Sequence, residues 1–359
     1  MNRIVLLVLS SLGFLGMGSA RAEVKVSAEG SESIRFDIDG KLFTRLHIGP
    51  KVAKPYLWPI ISSEGVPLTR AWPMEPVKPG SAEKTTDHKH QKSAWFCHGD
   101  VRAEGIETPK KKGIDGVDFW SEDGPHGKIK VTSFSIQNDD SSLEQRRSRF
   151  LGFKRRFHGK YPENSVKVQS DSATLEMDWL SADGKKILGE TRTYRILEGK
   201  DGQRLIVMDT ILKAGDNNIT FEDTKEGAFG IRVRDVMAES KGKGKLTSSE
   251  GKTREPNIWG RLLDWVDYSG EVDGKEAGLT VMADPKNSLK TCWHARAYGL
   301  LAANPFGRSK SGFPAMRGNN DLVKLKAGES LKLRYAILAH PGDAESGKVA
   351  QGYDWFRGL

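Results

Sequence analysis

Between Asp87 and Asp100 the chain concentrates three of its eight histidines, one of its two cysteines and a carboxylate at either end. In an extended segment His88 and His90 point to one face, and His98 joins them if no bulge intervenes. Imidazoles sharing a face bind divalent Zn, Cu, Ni or Fe. A divalent metal on His88, His90 and His98 is therefore one expectation. The spacing matches no established metal motif, and the other expectation is a hydrogen-bonded cluster that orients a ligand, with Asp100 among its acceptors. Asp118 and Trp120 follow soon after. An acid beside an indole suits a sugar, because the ring stacks on C–H groups while carboxylates and amides fix hydroxyls. The bland account is a core indole next to a surface acid.

Lys225, Glu226 and Arg232 put three charges into one glycine-containing, strand-like stretch, where Glu226 and Arg232 share parity. A carboxylate near a cation has its pKa lowered and serves as an ionised base or a hydroxyl acceptor. A structural ion pair at a sheet surface is the competing account. His294, Arg296 and Tyr298 then alternate along another strand, with Asn304 after them. A core strand does not bear an imidazole, a guanidinium and a phenol on one face; a cleft-lining strand or an edge strand does. These residue types fit proton transfer, with His294 as general acid and Glu226 as general base. Lys225, Arg232, Arg296 and Asn304 would hold hydroxyls or a carboxylate. Tyr298, Asp118, Trp120, His88, His90, His98 and Asp100 would complete the cleft.

The elements that must position these groups are mostly strands. Ile34, Phe36 and Ile38 alternate with polar residues up to Asp39-Gly40, and Leu42, Thr44, Leu46 and Ile48 alternate after it. Period-two alternation around Asp-Gly is the signature of a hairpin. It recurs at Asp183-Gly184, Asp201-Gly202 and Asp273-Gly274, and Leu331 to Ile337 alternates again. Helical spacing is confined to Val349, Tyr353 and Phe356 and a turn near Ile258 to Val266. The expected fold is all-β, a large antiparallel β-sandwich with few short helices. Nothing alternates strand and helix as a nucleotide-binding fold would. Two long loops are expected, a proline-rich one over Trp72 to Thr86 and a lysine-rich one over Arg102 to Gly116.

The 359 residues are 37% hydrophobic and 29% charged, enough apolar material to bury a core. Asn2-Arg3, the apolar run Ile4 to Leu15 and Ala20-Arg21-Ala22 read as a secretory leader, cleaved after Ala22. The expected organisation is a signal peptide over 1–22 and a single β-sandwich domain over 23–359. The protein would be exported to the periplasm or the extracellular space, with no membrane span in the mature chain. The net charge of +9 is dispersed among 47 acidic residues. That argues against a nucleic-acid partner and leaves a small molecule or oligosaccharide, including an acidic polysaccharide. Cys97 and Cys292 either pair in an oxidising compartment or remain as two buried thiols.

Lys54-Pro55-Tyr56-Leu57-Trp58-Pro59, Thr69-Arg70 with Trp72-Pro73-Met74, the histidine stretch from Asp87, Asp118-Phe119-Trp120, Glu190-x-Arg192-Thr193-Tyr194, Asp223 to Gly227 and Ala302 to Gly307 together resemble a secreted bacterial family labelled "methane oxygenase PmoA". The resemblance spans nearly the whole mature chain. The family usually reads Asp-His-Pro-His-His where Lys89 and Gln91 stand here, so a run of three imidazoles is missing. What the resemblance implies is a supersandwich, galactose-mutarotase-like in outline, that holds a sugar on a concave sheet with His, Arg, Glu and Asn. Methane chemistry is not implied, because the membrane subunit of that name is integral to the bilayer. The expected function is a carbohydrate-processing enzyme, an epimerase, lyase or hydrolase. The alternatives are a non-catalytic carbohydrate-binding protein, a metal-dependent enzyme on the three histidines, and a structural envelope protein.

Overall fold

A computed structural model describes residues 22–138 and 171–359. The leader expected over 1–22 lies outside these residues except for Ala22. Two eight-stranded sheets make up most of the described residues. The first runs, edge to edge, β1 (Val24–Glu29), β2 (Ser33–Ile38), β3 (Lys41–His47), β4 (Tyr56–Leu57), β5 (Ala94–His98), β12 (Gly227–Arg232), β17 (Leu300–Asn304) and β16 (Cys292–Arg296). The second runs β13 (Lys245–Ser248), β14 (Trp265–Val272), β15 (Lys275–Ala283), β19 (Ser330–Pro341), β10 (Arg204–Ala214), β9 (Lys186–Glu198), β8 (Ser172–Leu180) and β7 (Lys128–Gln137). A three-stranded sheet adds β18 (Val323–Leu325), β11 (Ile219–Phe221) and β6 (Val101–Ala103). Neighbours pair antiparallel throughout the described residues.

The four Asp-Gly pairs flanked by period-two alternation turn hairpins between β2 and β3, β8 and β9, β9 and β10, and β14 and β15. At three of them both residues have positive φ, Asp39 and Gly40, Asp201 and Gly202, Asp273 and Gly274. That is the tight-turn geometry these residue types tolerate. The sheets pack through Phe96 against Trp179 (ring centroids 6.4 Å apart) and Phe229 against Tyr335 (5.9 Å). Leu205, Ile206, Val207 and Met208 are all buried in succession, whereas alternation resumes beyond Asp209. The cause is a second layer. The helix α2 (Val349–Gly358) lays Val349, Tyr353 and Phe356 on Leu205, Val207, Met282 and Leu338, covering the outer face of the second sheet. The other helix, α1 (Glu255–Ile258), is a single turn, and the turn expected over 258–266 gives way to a strand from Trp265.

Glu190-x-Arg192 lies between the sheets. Both side chains are fully buried, and Arg192 Nε donates to Glu190 at 2.6 Å. Trp179 Nε1 and Thr210 Oγ1 also donate to Glu190. This pair is core structure. Cys97 and Cys292 are free and buried, so no disulfide joins β5 to β16. No helix among the described residues is long and apolar enough to cross a membrane.

Candidate functional site

The outer face of the first sheet carries the site. Directly opposed residues on antiparallel neighbours share a face. Trp95 opposes Gly230, Gly230 opposes Ala302, and Ala302 opposes His294. One step along, Arg232 and Arg296 both oppose Leu300. Thus Arg232, His294 and Arg296 line one face, while Phe96, Phe229 and Trp293 fill the core on the other. Gly230 is small because Trp95 lies across it: a Cβ there would meet the indole at 3.0 Å.

The segment Asp87 to Gln91 lies over this face. His88 and Ser93 have positive φ, 43° and 57°, so the chain between them is not a strand, and β5 starts only at Ala94. This breaks the parity that would have aligned three imidazoles. His98 opposes Gly227, an odd number of residues from Arg232, and therefore points into the core. It is fully buried against Phe221 and Phe306, with Nε2 bonded to the Glu222 carbonyl at 2.8 Å. His88 and His90 do meet, edge to face at 5.7 Å. Among the described residues no three His, Cys, Asp or Glu side chains are arranged to hold a metal ion, and the His88–His90–His98 trio is not formed.

Four other expected ligand contacts are scaffold. Asp100 is buried and accepts from the backbone of Asp115 and Gly116. Asp118 is buried, bonds the backbone of Trp120 and Ser121, and meets Lys111 at 2.7 Å. Trp120 is no open wall for a sugar, because it is buried edge-on against Trp95 at 5.1 Å. Asn304 spends its amide on the carbonyls of Thr224 and Lys225 and its carbonyl on the backbone of Phe306 and Gly307. Its work is to hold the loop that carries Lys225 and Glu226. Asp223 secures the same loop through the backbone of Arg308 and Ser311. Gly99 admits it, since a Cβ there would fall 2.8 Å from Glu226 Cβ.

The remaining residues converge from three stretches of sequence. Tyr298 lies in the turn after β16 rather than on the strand. His88 stacks on its ring at 5.3 Å, and the Arg232 and Arg296 guanidinium groups lie 4.6 and 5.8 Å from the ring centroid. Arg232 is fully buried and bonds Gln91 at 2.6 Å and Asp87 at 3.1 Å, so it forms the floor and does not reach a ligand. Arg70 also holds Asp87, at 2.7 Å, and Lys241 approaches it at 3.5 Å. Burial opposes ionisation of Asp87, but these three cations outweigh it and hold the carboxyl at about 2. Burial and the repulsion of Arg70 bring Arg232 down to about 10.

Glu226 pairs with Lys225 at 2.9 Å, not with Arg232, and its side chain remains 32% exposed. Burial raises its pKa, yet His294 and Lys225 turn the balance and hold it below the ordinary value. Burial is the main cause that lowers both His294 and His90, each to about 4. His294 therefore carries no proton to spare at neutral pH, and Lys225 supplies the charge that compensates Glu226. This corrects the expectation of a resting general acid at His294. The Nδ1 atoms of His90 and His294 are buried without hydrogen-bond partners. Arg296 meets Glu255 at 3.0 Å, beside a cleft of about 600 Å³ lined in part by Glu239, Arg254 and Glu255. Asp87 and Gln91 lie in the histidine stretch, where the sequence alone assigns neither a place in the site. Arg70 enters only through the family resemblance, and Lys241 and Glu255 give no signal, because each reaches the site from a separate loop or helical turn.

A model for a family of unknown function, DUF6807, matches residues 33–354. A search of curated proteins finds no match. Among solved structures, the chain is similar to a GalM/aldose epimerase homologue from C. elegans at 10% identity and a TM-score of 0.32, covering 90% of this chain and all of that one. A likeness at that level carries no argument about activity.

Proposed function

The chain belongs to DUF6807, a family of unknown function, so its activity must be read from its own site, and we propose that it binds a carbohydrate and moves a proton on it. The observation that carries this reading is Glu226: a charged, partly exposed carboxylate between Lys225 and two imidazoles that burial keeps neutral. An ionised carboxylate in such surroundings takes a proton from a hydroxyl or from a C–H next to a carbonyl. A neutral imidazole beside it donates a hydrogen bond to the oxygen that gains charge, without first having to be protonated. Lys225 and Arg296, both partly exposed, offset negative charge on the ligand as it develops. A mixture of hydroxyl acceptors and donors of both signs suits a polyol better than an apolar ligand. Epimerisation and elimination both begin with such a transfer, whereas glycoside hydrolysis needs a protonated acid that the two neutral imidazoles do not supply.

The test is a thermal-shift screen of the purified protein against sugars, uronic acids and oxidised sugars, followed by turnover on each hit. A ligand at about 100 times its Kd raises stability by about 2.7 kcal/mol, a clear shift in Tm. Glu226→Gln and His294→Ala should each lower turnover by about 10²–10⁴. Full turnover in both variants would refute the assignment. Saturable binding with no product after long incubation would reduce it to a binding site.

A further inference from the structure

A second cleft lies on the far side of the site's wall. It encloses about 510 Å³ and is lined by Trp58, Trp72 and three prolines, with Arg45, Glu83 and Arg234 among its polar groups. Its wall is shared with the site. Glu83 opens the segment that ends at Asp87, and Thr69 and Ala71, which line the cleft, flank the Arg70 that holds Asp87. Arg234 follows Arg232 by two residues. We propose that this cleft is a second binding site, for a sugar unit of a neutral oligosaccharide. The inference takes only its ligand class from the reading above.

Three observations support a neutral sugar. Both indoles are half-buried and border open space, unlike Trp95 and Trp120, so each has surface on which a pyranose ring can stack. The arginines are already paired: Arg234 meets Glu83 at 2.8 Å and Asp273 at 2.7 Å, and Arg45 meets Glu29 at 2.8 Å, while the other two charges of the lining, Glu75 and Lys78, are of opposite sign and add no net charge. A charged ligand would have to break such pairs, whereas hydroxyls can add to their free lone pairs and N–H groups. The Trp72 Nε1 donor has no acceptor within the protein, and a hydroxyl brought to that edge of the indole would supply one. The proline rings fix the local backbone, so little ordering is needed on binding. The volume fits one or two sugar rings within the ordinary range of ligand sites.

Tryptophan fluorescence and calorimetric titration with xylohexaose, cellohexaose and mannohexaose, and with xylose, glucose and mannose, test the proposal. At least one hexasaccharide should bind saturably, and Trp58→Ala should weaken it about tenfold or more, the loss expected of one stacked ring. Trp58→Tyr keeps a stacking ring and should retain most of the affinity, so the answer does not depend on how well the alanine variant folds. In the Glu226→Gln background Trp58→Ala should still weaken hexasaccharide binding about tenfold. Binding that depends on Trp58 but not on Glu226 supports the cleft, even if the Glu226 site proves inactive on every sugar. Binding lost in Glu226→Gln and intact in both Trp58→Ala and Trp72→Ala overturns the cleft and leaves the Glu226 reading standing. No response to any hexasaccharide overturns the cleft.

Discussion

Glu226 and its two imidazoles set out what single residues contribute. A histidine in water is half-protonated near 6.5, but the rings of His90 and His294 are moved to about 4 because burial removes water from the charged form. Both rings should therefore stay neutral across the physiological range. Nitrogen-detected NMR of the imidazoles checks this, with inflections expected near pH 4; an inflection near 6.5 for His294 would restore the resting-acid role. Tyr298 acts differently. It touches His88, Arg232 and Arg296 at once and fixes their relative positions. Tyr298→Leu should loosen His88 while leaving the protein folded, and it should weaken ligand binding more than Tyr298→Phe does. Equal affinity in the two variants would show that the ring does no positioning.

At the scale of strands and loops, parity decides what a side chain can do. The β9 residues Glu190 and Arg192 look as catalytic by type as Glu226 and Arg232, yet alternation turns them into the dry interior. Removing one partner of such a pair leaves a bare charge in the core. Glu190→Ala should cost about 3–5 kcal/mol, read by urea denaturation; a loss below 1 kcal/mol would mean that water reaches Arg192. The thiols of Cys97 in β5 and Cys292 in β16 are likewise sealed, and burial pushes both up to about 12. Neither should react with a thiol reagent until the protein unfolds, and rapid labelling of the native protein would contradict their placement.

For the whole molecule, buried histidines link stability to pH in two directions. His90, His98 and His294 each lie near 4 when folded, so the unfolded chain takes up their protons first as pH falls. Their contribution is present above about 6.5 and is lost as pH falls toward 4. His340 has the opposite sign. Burial disfavours its charge, but Asp267 at 2.9 Å outweighs burial and raises its pKa, so its contribution is complete below about 6.5 and is lost as pH rises through the raised value. Tm should drop between pH 6.5 and 4, and His98→Gln should flatten that limb; a Tm unchanged down to pH 4 would contradict the three depressed rings. Much of this molecule was legible in the chain itself. Asp-Gly pairs flanked by period-two alternation specify antiparallel hairpins, because turn chemistry and side-chain alternation are local properties, and those of Asp39-Gly40, Asp201-Gly202 and Asp273-Gly274 formed where they were expected. The spacing of Val349, Tyr353 and Phe356 specifies the last helix for the same reason. His294 and Arg296 on one face followed from parity within a single strand. Tertiary structure alone decided that His88 rests on Tyr298, that His98 and Trp120 are core, that Asn304 braces a loop, and that Asp87 draws Arg70, Arg232 and Lys241 together. Each of these depends on a left-handed residue that breaks a strand or on contacts between distant loops. Local sequence encodes the direction of a side chain within an element, but not which elements come to lie against it.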